Sequence, residues 1–282
     1  MGSFCRKLLG LVIVINIKIM NSEISTLSEV IKRIKEERRL KYTTGFPSLD
    51  AIMQGGFSPK LYLLAANKGM GKTALMLSMI YYQTIRFQIP CAILTTKINQ
   101  NFVFRLPLMF DHYPIHRVYT ATAPNLNAMC RYIRDIMQKG VKVIYIDDLT
   151  VPFEGRTSEL SSNEIIEFLR MLSCLTMEYQ IAIVVLSDID YCFEDEGYGR
   201  PNECHLCLPS EATEKIYNTI FIHRPEYYEI TWDEYGMPTA GLAEIIIGSA
   251  VCNLCFDKSC ARFLEMGEKE RESDNITRRL FS

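Results

Sequence analysis

The chain of 282 residues is 48% hydrophobic and 23% charged, which is enough apolar material for one sizeable core and shows none of the bias of a disordered or fibrous chain. Thirty-one Lys and Arg against 33 Asp and Glu give a formal net charge of -2, which excludes attachment to nucleic acid by bulk charge and leaves only local contacts. Ten cysteines scattered over this length are not the dense framework of a small secreted domain and indicate a reducing, cytoplasmic compartment.

At the N-terminus, Arg6 and Lys7 precede the apolar stretch LLGLVIVINIKIM from Leu8 to Met20. Asn16 and Lys18 interrupt it, it falls short of the roughly 18 apolar residues of a membrane span, and no small-residue cleavage site follows. Residues 1–21 therefore read as a disordered or mis-started extension without stable membrane association. In residues 22–40, Ile24, Leu27, Val30, Ile31 and Ile34 recur at helical spacing with charge opposite, predicting an amphipathic linker helix.

A loop and turn from Thr43 to Gly56 leads into the apolar run Leu61 to Ala66, a buried strand. Further buried strands are predicted at Cys91 to Thr95, Val141 to Ile146, Ile181 to Leu186, Thr219 to His223 and Ala243 to Ile247. Helical patterns at Lys72 to Phe87, Asn125 to Gln138 and Asn163 to Tyr179 separate the first four. This alternation predicts one α/β domain over 41–265, with a mostly parallel sheet covered by helices on both faces. Tyr227 to Tyr235 with the Gly236 turn predicts antiparallel additions at one edge, and residues 266–282 read as a charged tail.

Directly after the first strand comes Ala66-Asn67-Lys68-Gly69-Met70-Gly71-Lys72-Thr73, followed by Ala74. This is a P-loop with Ala in place of its first Gly. Successive backbone amides and a helix N-terminus can cradle phosphates, Lys72 can reach the β and γ oxygens, and Thr73 can ligate Mg²⁺. The strand Val143 to Ile146 ends in Asp147 and Asp148, where a P-loop enzyme places the carboxylate that holds Mg²⁺ through water. Asp147 takes that role, and ATP with Mg²⁺ is the expected cofactor.

With these motifs in place, the chain resembles the C-terminal, RecA-type motor domain of DnaB-like replicative DNA helicases, without the family's N-terminal domain. The resemblance runs from about Thr44 to Leu264. It rests on Thr44-Gly45-Phe46, Leu49-Asp50, Gly55-Gly56, the P-loop core Met70 to Ala74, Ile146-Asp147 with Leu149, Leu186-Ser187, Arg200-Pro201, Phe221-Ile222 with Arg224, Glu226-Tyr227-Tyr228, Glu244 to Ile247 and Arg262-Phe263, in order. It implies a RecA-like fold, a ring-shaped homo-oligomer whose 22–40 helix docks on a neighbouring subunit, ATP hydrolysis, single-stranded DNA and replication proteins as partners.

The departures from the family pattern matter as much. Lys97 stands where the family has the Glu that polarises the attacking water, Asp188 where it has a phosphate-sensing Gln, and Val251 where it has an arginine finger. A protonated lysine cannot serve as a base, and loss of a finger can cost on the order of 10³ to 10⁵ in rate. Asp190 and Tyr191 replace an Asn and an Arg, and with Asp188, Glu194, Asp195 and Glu196 they make the DNA-facing loop acidic, where phosphates are repelled. Asp148 is the candidate replacement base.

Cys204-x-x-Cys207 and Cys252-x-x-Cys255 have the spacing of two thiolate knuckles, which together could hold Zn²⁺ if the fold brought them together. Cys260 and His205 are substitutes. Ordinary half-buried thiols are the competing reading. Tyr81, Tyr82, Tyr227, Tyr228 and Trp232 lack interleaved basic residues and read as packing rather than as base-stacking platforms. Three readings follow: a nucleotide-binding, catalytically weakened helicase relative acting as a regulatory or assembly subunit; an active helicase or loader using Asp148; and a zinc-stapled interaction module with a structural nucleotide.

Overall fold

The structure, a computed structural model, describes residues 28, 40–95, 118–121, 126–149, 161–190, 200–233 and 235–267. The expected extension 1–21, nearly all of the 22–40 helix and most of the 266–282 tail lie outside the described residues.

Nine strands form one sheet: β1 (Leu61–Ala66), β2 (Cys91–Thr95), β3 (Val118–Ala121), β4 (Val143–Asp147), β5 (Ala182–Asp188), β6 (Asn218–His223), β7 (Leu242–Ile247), β8 (Ala250–Asp257) and β9 (Arg262–Glu265). Their order is β3-β2-β4-β5-β1-β6-β7-β8-β9. The first six in that order run parallel, and β7 to β9 add antiparallel hairpins to the β6 edge.

The α-helices among the described residues are α1 (Pro47–Ile52), α2 (Lys72–Arg86), α3 (Leu126–Met137), α4 (Ser162–Tyr179) and α5 (Ser210–Thr213). They cover both faces, which is why β1, β2 and β4 are buried along their whole length and read as continuous apolar runs instead of alternating ones. β1 shows the division: Tyr62, Leu64 and Ala66 pack with Leu75, Met76 and Met79 of α2, whereas Leu61, Leu63 and Ala65 pack with Met129 and Ile133 of α3 and Phe168 and Leu172 of α4. α4 begins at a capping box in which Ser161 and Glu164 satisfy each other's backbone amides. β9 is tied to α2 by the Phe263 amide donating to Ser78 Oγ at 3.0 Å.

Two expectations are corrected. The stretch read as a loop and turn before β1 contains the helix α1, Pro47–Ile52. Among the described residues, Tyr227 to Tyr235 supplies no edge strand: Pro225–Tyr228 is a 3₁₀ turn, because Pro225 pre-sets its φ for a turn, and the antiparallel bridge Trp232↔Pro238 follows. The antiparallel edge comes instead from residues 242–265, including the segment read as a cysteine knuckle.

Candidate functional site

The site lies at the C-terminal edge of the parallel strands, where open α/β sheets place ligands. β1 feeds residues 67–71, and α2 starts immediately afterwards. Gly69 and Gly71 have φ of 88° and 103°, a region that favours glycine. Space matters too: a Cβ on Gly69 would stand 3.2 Å from the Tyr227 hydroxyl, and one on Gly71 would stand 3.1 Å from the Phe263 ring. The first α2 bond runs from Leu75 N to Gly71 O, so the amides of Lys72 and Thr73 precede it and have no intrahelical acceptor. Those amides and the positive end of a 15-residue helix suit an anion.

Lys72 Nζ donates to Ala66 O at 2.7 Å and to Asn67 O at 3.2 Å. It also pairs with Asp188 Oδ1 at 2.5 Å. Thr73 Oγ1 donates to Asp147 Oδ2 at 2.9 Å. Asp147 is buried at the end of β4, and a cis peptide joins it to the half-buried Asp148. A hydroxyl and a carboxylate at this separation are hard oxygen donors, the chemistry that suits Mg²⁺. The structure therefore brings together Ala66, Asn67, Lys72, Thr73, Asp147 and Asp188, with Lys68, Gly69, Met70, Gly71 and Ala74 completing the loop and the first turn.

The reading of Tyr227 and Tyr228 as packing alone does not hold. Tyr228 OH accepts from Asn67 Nδ2 at 3.0 Å, and Tyr227 OH donates to Lys68 O at 3.2 Å. Both tyrosines follow β6, the strand beside β1, and so lie against the P-loop. Arg224, buried at the end of the same strand, sets its guanidinium 3.7 Å from the centroid of Phe256, and the Phe256 ring lies 3.6 Å from where a Gly71 Cβ would be. Glu226 accepts from the Gly241 amide at 2.9 Å and from Lys258, which holds its carboxyl below the usual carboxylate range. These contacts depend on strand neighbours far apart in sequence; the signals in the sequence were that Arg224 to Tyr228 immediately follows an apolar strand and that Arg224 and Glu226-Tyr227-Tyr228 match the family pattern.

Lys97 lies outside the described residues, as do Tyr191, Cys192, Glu194, Asp195 and Glu196. Val251 lies in β8, just past a two-residue turn, since Ile247 pairs with Ala250. The turn residues Gly248 and Ser249 and the 37% exposed Val251 offer no cation. Beyond β5 the chain is pinned: Ile189 bridges Leu206, and the Asp190 amide donates to His205 O at 2.9 Å. Arg200 makes a two-pronged contact with Glu244 of β7, at 2.9 and 2.6 Å.

The zinc expectation is corrected. β8 keeps unbroken register with both neighbours, so Cys252 and Cys255, three residues apart, point to opposite faces. Leu206, between Cys204 and Cys207, is bridged at the end of β5, which lies four strand steps from β8, roughly 19 Å at ordinary strand spacing. Burial pushes the Cys252 thiol up to about 11, away from the thiolate a metal needs. His205 uses Nδ1 to accept the Asn202 amide at 2.9 Å. Among the described residues, no group of three or more His, Cys, Asp or Glu could hold a metal ion.

The DnaB-like helicase C-terminal domain profile matches residues 42–108 and 105–265. A probable plasmid replicative DNA helicase of Chlamydia psittaci is 31% identical over 125 residues, covering 44% of this chain and 26% of that protein. The replicative DNA helicase DnaB of Leifsonia xyli subsp. xyli is 21% identical over 260 residues, covering 79% of this chain and 55% of that protein. The chain thus spans about half or less of the length of these relatives. Among solved structures, a chain described as an ATPase domain superposes with a TM-score of 0.69 at 18% identity, covering 86% of this chain and 99% of that one. A DnaB-like replicative helicase, described with its interactions with primase, gives a TM-score of 0.70 at 17% identity, covering 93% and 75%. No helix among the described residues is long and apolar enough to cross a membrane.

Proposed function

The chain belongs to the DnaB-like helicase C-terminal domain family, and we propose that it is a replication motor domain that binds ATP with Mg²⁺ at Gly69 to Thr73 but turns it over slowly. The observation that carries the binding reading is the constellation of Lys72 facing the loop and Thr73 bonded to Asp147 at 2.9 Å. The amides of the loop and α2 would receive the phosphate oxygens, Lys72 would neutralise their charge, and Thr73 and Asp147 would hold Mg²⁺, Asp147 through water. When bound, Mg²⁺ offsets charge on the β and γ oxygens.

The slow turnover rests on the same edge of the sheet. Asp188 engages Lys72 in place of a neutral sensor, and Val251, just past the β7–β8 turn, stands in place of the finger. Asp148, half-buried beside Asp147, is the base available for what hydrolysis remains; an active helicase or loader relying on it is the second reading. A homo-oligomeric ring joined through the 22–40 helix, local contact with single-stranded DNA, and partners of the primase kind belong to this proposal.

Calorimetric titration of Mg-ATP tests the binding reading. The unmodified chain should bind and Lys72→Ala should not, whereas equal affinity of the two would remove the assignment. Light scattering tests the ring, because deletion of the residues before Lys41 should dissociate the oligomer.

A further inference from the structure

We propose that Asp188 is a nucleotide-selecting residue which stands in for the terminal phosphate, so that the site favours a nucleoside diphosphate over a triphosphate. This rests on the nucleotide-binding reading above and adds which nucleotide is held.

An ammonium group has three donors, and Lys72 Nζ spends all three, on Ala66 O at 2.7 Å, Asn67 O at 3.2 Å and Asp188 Oδ1 at 2.5 Å. The pairing is built into the sheet. β5 runs parallel to β1 with Asp188 directly opposite Ala66, so the last residue of one strand stands beside the first residue of the loop on the other. The Lys72 side chain is only 12% exposed, whereas that of Asp188 is 67% exposed; the lysine is fixed and the carboxylate guards its solvent side.

A P-loop lysine must reach the β and γ oxygens, and the amides of the loop and α2 can still receive the phosphates nearer the ribose. A γ-phosphate would have to displace the Asp188 carboxylate from Lys72, or sit against it, with Asp147 already close by through Thr73. Like charges at this range disfavour each other, by less than in a closed interior because the Asp188 side chain is 67% exposed. A diphosphate needs Lys72 only at a β oxygen, which can replace the longer contact to Asn67 O at 3.2 Å and leave the Lys72–Asp188 pair in place. A neutral amide at position 188 would instead donate to a terminal phosphate oxygen.

The experiment is calorimetric titration of Mg-ADP and Mg-ATP into the full chain and into Asp188→Asn, Asp188→Gln and Lys72→Ala, with thermal melts confirming that each variant folds. The unmodified chain should bind ADP at least about tenfold tighter than ATP, equal to about 1.4 kcal/mol. Asp188→Gln should erase that ratio by strengthening ATP while changing ADP little, and Asp188→Asn should do so in part. Equal affinities in the unmodified chain, or a ratio unmoved by both Asp188 variants, would overturn the proposal while leaving nucleotide binding intact. Binding that survives in Lys72→Ala would overturn the underlying site instead, and no binding by the unmodified chain or by either Asp188 variant would overturn both.

Discussion

Tyr228 reaches across from the end of β6 to accept a hydrogen bond from Asn67 Nδ2 at 3.0 Å, joining residues 161 positions apart at the base of the P-loop. Its ring also stacks on His223 at 5.6 Å between centroids. Tyr228→Phe keeps the stacking and removes the hydroxyl. A neutral hydrogen bond is worth about 0.5–1.5 kcal/mol net to the folded state, so the melting temperature should fall by about 2–6 °C, and nucleotide affinity should fall with it as the loop loses this tie, as read by a thermal melt alongside calorimetry.

Thr73→Val preserves shape but removes the hydroxyl that meets Asp147 Oδ2 at 2.9 Å. Mg²⁺ should tighten nucleotide binding by about tenfold or more in the unmodified chain, or about 1.4 kcal/mol, and by little in this variant. Titrations with and without Mg²⁺ read the difference directly.

Gln83 is fully buried and serves three elements at once. Its Nε2 donates to Thr43 O at 2.7 Å, and its Oε1 accepts from Tyr145 OH at 2.9 Å and from Cys91 Sγ at 3.2 Å. Gln83→Ala would leave these groups in an apolar interior, where each unsatisfied partner is costly. Denaturant unfolding should show a loss of about 2–4 kcal/mol, appearing as a lower midpoint at constant slope.

The P-loop was legible in the sequence because everything that defines it is local: a strand, two glycines, Lys72-Thr73 and a helix in unbroken succession. β1 and β2 were legible for a related reason, since strands covered on both faces are apolar at every position. β8 was not, because its two cysteines at x-x spacing imitate a metal knuckle; the β7 pairing shows that they straddle the sheet. The four-residue β3 has too few positions for a period to show. The Lys72–Asp188 pair and the tyrosines at Asn67 and Lys68 follow from which strand lies beside β1, and sequence periodicity says nothing about strand order.

The cysteines should behave as thiols. Cys204 and Cys207 are exposed and should react with a thiol reagent in the folded protein, whereas Cys91 and Cys252, both buried, should react only on unfolding. Metal analysis of purified protein should find no stoichiometric zinc, and a chelator should not shift the melt. Burial raises the Cys252 thiol from 9.0 to about 11, so above pH 9 the unfolded chain holds fewer protons than the native one. Its contribution to stability is therefore complete below pH 9 and is lost as pH rises towards 11, which an alkaline series of denaturant curves would register.

Steady-state ATP turnover by the unmodified chain, with and without saturating single-stranded DNA, tests the reading of a weakened motor most directly. With Asp188 on Lys72 and Val251 at the finger position, turnover should be about 10³-fold or more below that of a motor retaining its finger, and DNA should not raise it. Vigorous hydrolysis that DNA stimulates, and that Asp148→Asn removes, would contradict that reading and establish an active helicase in its place.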